Sequence, residues 1–493
     1  MIAKDAVVSM YRTAVDGVET GAISGDLIDA SRRGGGRPGM PFILGPDGSY
    51  DVHLNRFIRE MEDLGVRSEN TRIAYCTDIM LYCRFLHQSR GRKRIWETDS
   101  ADLRAYKSVR LYAADGPRVS ISTWNRSVAA LDKWVQWSMY EGLLSAEPFR
   151  YADKMVMTPH GRKKVRVNAL VESVLQQQSL TFLPHEDFTL WRDVGLRGHC
   201  PDGSFDPRWR GRNGERNALF ADLLVCTGMR LSEAASLLVP ELPEVGGRRI
   251  IGDISVSPAV AKRGRGRVVY ARPRVAGDLQ HYVRMERDEL VQRSRREHIY
   301  EMGTATDLLR VRRHSRRALK TASGETFRYA QIDVENRMRL MVVDGCGRPI
   351  EPMWLWLSET GLPIRASTWQ SVFRRANVRC ASFGLDFDVH PHTLRHTYAV
   401  HMLGLLLRQT VRALGMREDQ RLTQAEVKRM LIGNPMRKLQ LLMGHSHEAT
   451  VYTYLDVLDE AQEIVLGALE AWDDQVAVLD RAPRITEPFG GGL

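Results

Sequence analysis

The chain has 493 residues, 71 Lys+Arg against 60 Asp+Glu and a net charge of +11, with 43% hydrophobic and 27% charged residues. These values exclude wholesale disorder, and the length predicts about two to four domains. No apolar run approaches the ~20 residues that span a bilayer, the first ten residues lack an apolar signal core, and six cysteines without a C-x-x-C pair predict no disulfide scaffold; a cytoplasmic setting without a membrane is expected.

The basic residues are 60 Arg and only 11 Lys, and Arg is the residue suited to bidentate phosphate contact. Residues 455–493 hold nine acids and two Arg, a local charge of −7, which leaves +18 on residues 1–454. A basic body with an acidic tail points to a polyanion such as nucleic acid. A merely soluble basic protein is the other reading of charge alone.

Along the chain, residues 1–30 read as weakly helical. Arg32-Arg33-Gly34-Gly35-Gly36-Arg37-Pro38-Gly39 then forms a flexible basic linker, so 1–50 is expected to be an extension. Residues 51–150 carry a helical pattern. Ser68 can cap a helix with Ile73, Cys76, Met80 and Cys83 on one stripe, which makes both cysteines core residues. A second helix starts near Ser122, carries Trp124, Val128, Leu131 and Val135, and ends at Gly142. The stretch 151–167, with Pro159, Gly161, Arg162, Lys163 and Lys164, reads as an interdomain linker whose cations can lie on a duplex backbone.

A larger domain is expected over 168–454. Asn217–Leu238 is helical with a break at Thr227-Gly228. β-Branched runs over Arg249–Tyr270 flank the turn Lys262-Arg263-Gly264-Arg265-Gly266-Arg267 and predict a hairpin. Residues 280–340 are a long charged segment, read as a helix plus an insertion. From Thr368 onward the pattern is helical again. The tail 455–493 has Leu458, Val465, Leu469, Trp472, Val476 and Leu479 near helical spacing. It is expected to fold back on its own domain or to dock on a neighbouring copy.

Four segments carry chemistry. They are Cys226-Thr227-Gly228-Met229-Arg230-Leu231-Ser232-Glu233, the Lys262–Val269 turn, His392-Thr393-Leu394-Arg395-His396-Thr397, and Leu442-Met443-Gly444-His445 followed by Thr450 and Tyr454. Cleaving a phosphodiester without a metal needs an oxygen nucleophile, cations around the phosphate and an acid for the leaving oxygen. Tyr454 supplies a phenol that nearby positive charge would activate. Arg230 and Arg395 would clamp non-bridging oxygens, and His392 and His445 would donate to them or move a proton. Only Lys262 and Lys320 lie between Arg230 and His392. Lys262 sits in a Gly-rich turn that can reach a groove, whereas Lys320 reads as part of an Arg-rich helix that is solvated or contacts the DNA backbone.

Tyr452 is the rival nucleophile, but positions two apart on a helix face different ways. A zinc site on His392 and His396 competes, yet no Glu follows His392 as in H-E-x-x-H and no carboxylate cluster accompanies the pair. No metal or cofactor is expected. His396, His401 and His447 are read as packing or supporting residues.

The four segments, in this order, resemble the boxes of the tyrosine recombinase (phage integrase) family, with the nucleophilic tyrosine nine residues after the last histidine. The resemblance covers most of residues 50–470. It implies a mainly α fold: an all-helical SAM-like core-binding domain, and an α+β catalytic domain with a small antiparallel sheet, together clamping DNA. It assigns Arg230, Lys262, His392, Arg395, His445 and Tyr454 as catalytic, with Arg162, Lys163, Lys164, Arg263, Arg265 and Arg267 as DNA-binding candidates. Implied partners are duplex DNA with specific recombination sites, a homotetramer exchanging C-terminal helices, and accessory proteins. The departures are insertions near 280–345 and 408–438, and Leu455-Asp456 in place of x-His after the tyrosine. Rival functions are a type IB topoisomerase and a DNA-binding protein that no longer cleaves.

Overall fold

The computed structural model describes residues 7–13, 39–113, 118–158, 161–173, 181–243, 252–302, 309–315, 317–415, 434–445, 451 and 454. It divides into two units, residues 1–178 and 179–493. The basic linker 32–38, Ile250, Ile251, the insertion over 416–433, Thr450, Tyr452, His447 and the tail from Leu455 fall outside the described residues.

In the first unit the expected N-terminal helix is replaced, over its described part, by strand β1 (Ser9–Arg12), antiparallel to β2 (Pro41–Leu44). Four helices follow: α1 (Val52–Glu60), α2 (Glu69–Ser89), α3 (Ser100–Tyr112) and α4 (Ile121–Tyr140). The Asp51 carboxylate caps α1 by accepting from Leu54 N–H, and Ser120 Oγ caps α4 through Thr123 N–H. Ser68 occupies the cap position of α2 as expected, but its hydroxyl makes no cap bond. Most of the predicted stripes are buried: Cys76 and Met80 on α2 join Trp124, Val128, Leu131 and Val135 on α4 in one core with Trp134 fully enclosed, while Ile73 and Cys83 are half-buried. Asp78, buried on α2, accepts from Arg126 and Ser127 of α4 at 2.8–3.1 Å, so this buried charge is paired.

The stretch expected as a linker is a regular hairpin, β3 (Tyr151–Thr158) with β4 (Gly161–Asn168). Its base is fastened to α4, because Tyr151 Oη and Asn168 Nδ2 both donate to Asp132. The helical unit therefore carries two β-hairpins that its hydrophobic periodicity did not announce.

The second unit holds α5 (His185–Arg192), α6 (Gly214–Thr227), α7 (Leu231–Ala235), strands β5 (Gly252–Val256) and β6 (Arg267–Ala271), then α8 (Pro273–Tyr282) and α9 (Asp288–Arg296). β5 and β6 pair antiparallel in the predicted hairpin. The charged segment then builds β7 (Leu309–His314), β8 (Ala318–Thr321), β9 (Thr326–Arg328), α10 (Val334–Met338), β10 (Leu340–Val343) and β11 (Pro349–Pro352). These strands form one five-stranded sheet, ordered β11-β10-β7-β8-β9, in which β7 and β10 are parallel. Lys320 thus lies on a strand, not on the helix expected for it.

α11 (Ala366–Ser382), α12 (Pro391–Gly415) and α13 (Asn434–Met443) complete the unit. Both ends of the second predicted insertion are helical, in α12 and α13. The core is dominated by aromatic stacking: Phe220 of α6 lies 3.7 Å from Trp369 of α11, and Trp356 packs edge-on to both.

Candidate active site

Two glycines bring the separated boxes together. Gly228 ends α6 in the left-handed region at φ +61°, and a Cβ there would stand 2.2 Å from the Tyr398 ring of α12. Only glycine allows both the turn and this approach. Gly444 ends α13 the same way at φ +63°, and its N–H bonds Leu441 O while His445 N–H bonds Gln440 O. The last carbonyls of a helix lack partners within it. Here two arginines take them: Arg267 Nε donates to Leu442 O at 2.9 Å, and Arg395 Nη2 donates to Met443 O. Cations at this end also complement the helix dipole.

Arg395 is 2% exposed on α12, and its Nη1 donates to Gly228 O. One side chain therefore ties the first, third and fourth boxes through backbone carbonyls. Burial, with Arg230 and Arg267 nearby, pulls its pKa down to about 9, which keeps it charged at neutral pH.

Arg230 precedes α7, its Nη1 2.9 Å from Glu233 Oε1. Glu233 is fully buried and also accepts from Arg267 Nη1 and Nη2 at 3.0 and 2.7 Å, and from Arg230 N–H at 2.8 Å. Burial would raise its carboxyl, but the bonds and charges of Arg267 and Arg230 outweigh burial and bring it to about 2. Arg267, expected among the DNA-binding cations, is instead turned inward with a side chain 7% exposed. It opposes Val256 in the hairpin, and its guanidinium is spent on Glu233 and Leu442.

Tyr454 is 3% exposed in a pocket of Tyr398, Leu403, Met436, Leu439, Met443 and Val451. Burial raises the pKa of this phenol; Arg395 and Arg230 act on it in the expected direction, but burial outweighs them. Its hydroxyl is 3.2 Å from His396 Nδ1, and the rings of His396 and His445 lie 5.8 and 6.4 Å from its own. His396, read from sequence as a packing or supporting residue, is the histidine that touches the Tyr454 oxygen. Burial, followed by His392 and Arg395, lowers its pKa to about 4, so it is neutral and can accept a proton.

His445 Nε2 is 3.2 Å from Arg395 Nη2, which can only donate; the proton of His445 therefore sits on Nδ1. That Nδ1 is buried without a partner among the described residues. Burial, then Arg395, Arg230 and Arg267, bring this imidazole to about 4. His392 stacks on His396 at 5.4 Å; partial desolvation of its ring, then the cations Arg395, Arg230 and Lys262, lower its pKa.

Lys262 is exposed in the β5–β6 turn, close enough to act on His392. The turn reverses through Arg263 at φ +63° and Gly264 at φ +67°, and Arg263 and Arg265 are exposed on it. Arg162 and Lys164 stand exposed on β4 of the first unit, where Lys164 pairs with Asp153 at 2.9 Å. Lys163 is on the same strand, its side chain outside the description. Among the described residues no group of three or more His, Cys, Asp or Glu could hold a metal ion.

Comparison with known proteins finds family matches in both units. Residues 54–142 match the phage integrase N-terminal SAM-like domain and residues 210–404 the phage integrase family, together more than half of the chain. A tyrosine recombinase of Pseudothermotoga lettingae is 29% identical over 24% of this chain, a match spanning 30% of that relative. The tyrosine recombinase XerD of Shewanella oneidensis is 21% identical over 83% of this chain and 92% of its own length. XerC of Roseiflexus castenholzii is 24% identical over 82% and 88%. Among solved structures, XerH site-specific recombinase bound to difH substrate is 13% identical with a TM-score of 0.41, covering 84% of this chain and 85% of that one. The chain belongs to the tyrosine recombinase family, whose members cleave and rejoin DNA by means of a tyrosine nucleophile.

Proposed function

We propose that Tyr454 is the nucleophile of a site-specific DNA recombination reaction, held by Arg230, Arg395, His392, His445 and Lys262. The observation that carries this reading is the gathering of a phenol, two guanidinium groups and three histidines from chain segments more than 200 residues apart. Tyr454 Oη forms a bond to the scissile phosphorus as the P–O5′ bond breaks, leaving a 3′-phosphotyrosyl link and a 5′-hydroxyl. Because burial holds the phenol protonated, its proton passes to neutral His396 Nδ1 as the new bond forms. Arg230, Arg395 and His445 Nδ1–H stabilise the oxygens on which charge develops. Lys262 returns a proton to the leaving 5′-oxygen. A 5′-hydroxyl from a second duplex reverses these steps, and since one ester replaces another no external energy source enters.

In this reading residues 51–150 are the core-binding domain and 168–454 the catalytic domain, consistent with the matched spans. Exchange between two duplexes calls for four active sites, hence a homotetramer on paired sites. The acidic tail 455–493 is the segment we assign to contacts between copies, with accessory proteins setting direction. No helix among the described residues is long and apolar enough to cross a membrane, and we place the reaction in the cytoplasm.

A nicked duplex that loses its short 5′-hydroxyl strand on cleavage tests the assignment. Wild type should accumulate a covalent protein–DNA complex, and Tyr454→Phe should bind the same DNA without forming it. Equal trapping by Tyr454→Phe would refute the assignment.

A further inference from the structure

The five-stranded sheet that interrupts the catalytic unit has one strongly charged face. Val311, Leu319 and Thr321 point inward and are buried. Strand alternation and register put Arg310, Arg313, Lys320 and Arg328 on the other face, all exposed. Arg313 stands directly opposite Lys320, a like-charged cross-strand pair that destabilises a sheet by itself. Arg312 and Arg317 add exposed cations at the bulge and the β7–β8 turn, and none of the six forms an ion pair with a described residue. Glu325 is the only acid between residues 309 and 328.

The chain just after β9 is tied to the Lys262 hairpin. Ser257, between β5 and the Lys262 turn, is buried and donates through Oγ to Tyr329 O at 2.9 Å, next to Arg328. Tyr329 Oη in turn donates to Ser315 O in the β7–β8 turn at 2.8 Å. Buried Arg337 donates to Tyr329 O at 2.9 Å while paired with Glu241. The sheet is thus anchored to the turn that carries the proposed general acid.

We propose that the β7–β8–β9 face is a second DNA-backbone surface, which takes the phosphates of duplex DNA running on from the bonds contacted by the Lys262 turn. Unpaired cations kept side by side on a rigid sheet fit a polyanion better than they fit each other. Neutralising phosphates with them releases counterions, so they should contribute to the salt dependence of binding rather than to chemistry. The proposal rests on the recombinase reading above and adds the insertion to its DNA footprint.

The test uses the full-length protein and duplex DNA carrying its recombination site. In Arg313→Ala/Lys320→Ala/Arg328→Ala the slope of log affinity against log salt should fall by about 2–3, at ~0.9 per phosphate contact. Covalent trapping on nicked DNA at saturating protein should match wild type. Arg313→Ala alone should lower the slope by about 1 and should not lower the unfolding temperature, since it relieves the like-charged pair. A slope unchanged or steeper in the triple variant would overturn the proposal, and a steeper one would give the face to the chain's acidic tail. Wild type that fails to trap on nicked DNA would instead overturn the recombinase reading, and the two failures are separate readouts.

Discussion

The hydroxyl of Tyr454 lies 3.2 Å from Nδ1 of His396, a histidine 58 residues earlier in the chain and one helical turn beyond His392. The phenol is buried and held above its ordinary pKa, while the imidazole beside it is held at about 4. In the proposed reaction a neutral acceptor in contact with the protonated phenol lets the proton leave as the phosphorus is attacked.

His396→Ala should therefore slow formation of the covalent complex by about 10²-fold or more with DNA affinity retained. The variant should also show a steeper rise of rate between pH 7 and 9 than wild type, because phenolate must then form without a base. Single-turnover trapping across that range reads both effects. A structural role alone would lower the rate without changing its pH dependence.

Glu233 holds Arg230 and Arg267 together, and in the proposed reaction the Glu233–Arg267 pair braces Arg230 rather than contacting DNA. Arg267→Ala leaves a buried carboxylate with one partner instead of two, and breaking such a pair costs about 3–5 kcal/mol. We expect a lowered unfolding temperature and slower trapping, with the salt slope of DNA binding unchanged. A slope reduced by about 1 would mean that Arg267 contacts a phosphate after all.

Gly228→Ala should destabilise the catalytic unit by at least about 2 kcal/mol, since it combines an unfavourable backbone conformation with the Tyr398 contact. Thermal unfolding should show Gly228→Ala/Tyr398→Ala losing less than the sum of the two single variants, because the clash counts only while the ring is present.

Acid should destabilise the protein in two windows. His396, His401 and His445 have folded pKa values of about 4, below the unfolded value near 6.5. As pH falls from about 6.5 to 4 the unfolded chain binds protons that the folded one does not, so stability falls. Glu233, held at about 2 in the fold, adds a second loss between about pH 4.5 and 2. Unfolding temperatures measured across these ranges check the sign, and His401→Gln should flatten the first window.

Much of this was legible in the sequence where one residue type has one use. Thr227-Gly228 marked a helix end, the β-branched runs around Lys262 marked a hairpin, and the stripes through Cys76 and Trp124 marked a helical core. What stayed hidden depends on direction or on distant pairing. Arg267 looks like its neighbours Arg263 and Arg265, and only its register opposite Val256 turns it toward Glu233. The inserted sheet has strands of three to six residues, too short to show a period, and joins β7 to β10 in parallel across an intervening helix. The 151–168 hairpin is largely exposed, so no hydrophobic alternation announces it. His396 differs from its neighbours only in which oxygen it meets.

The most direct measurement of the central claim is peptide mapping of the covalent complex trapped by the full-length protein on nicked DNA. A nucleotide adduct on Tyr454 is the predicted result. An adduct on Tyr452 or on any other residue would contradict the account.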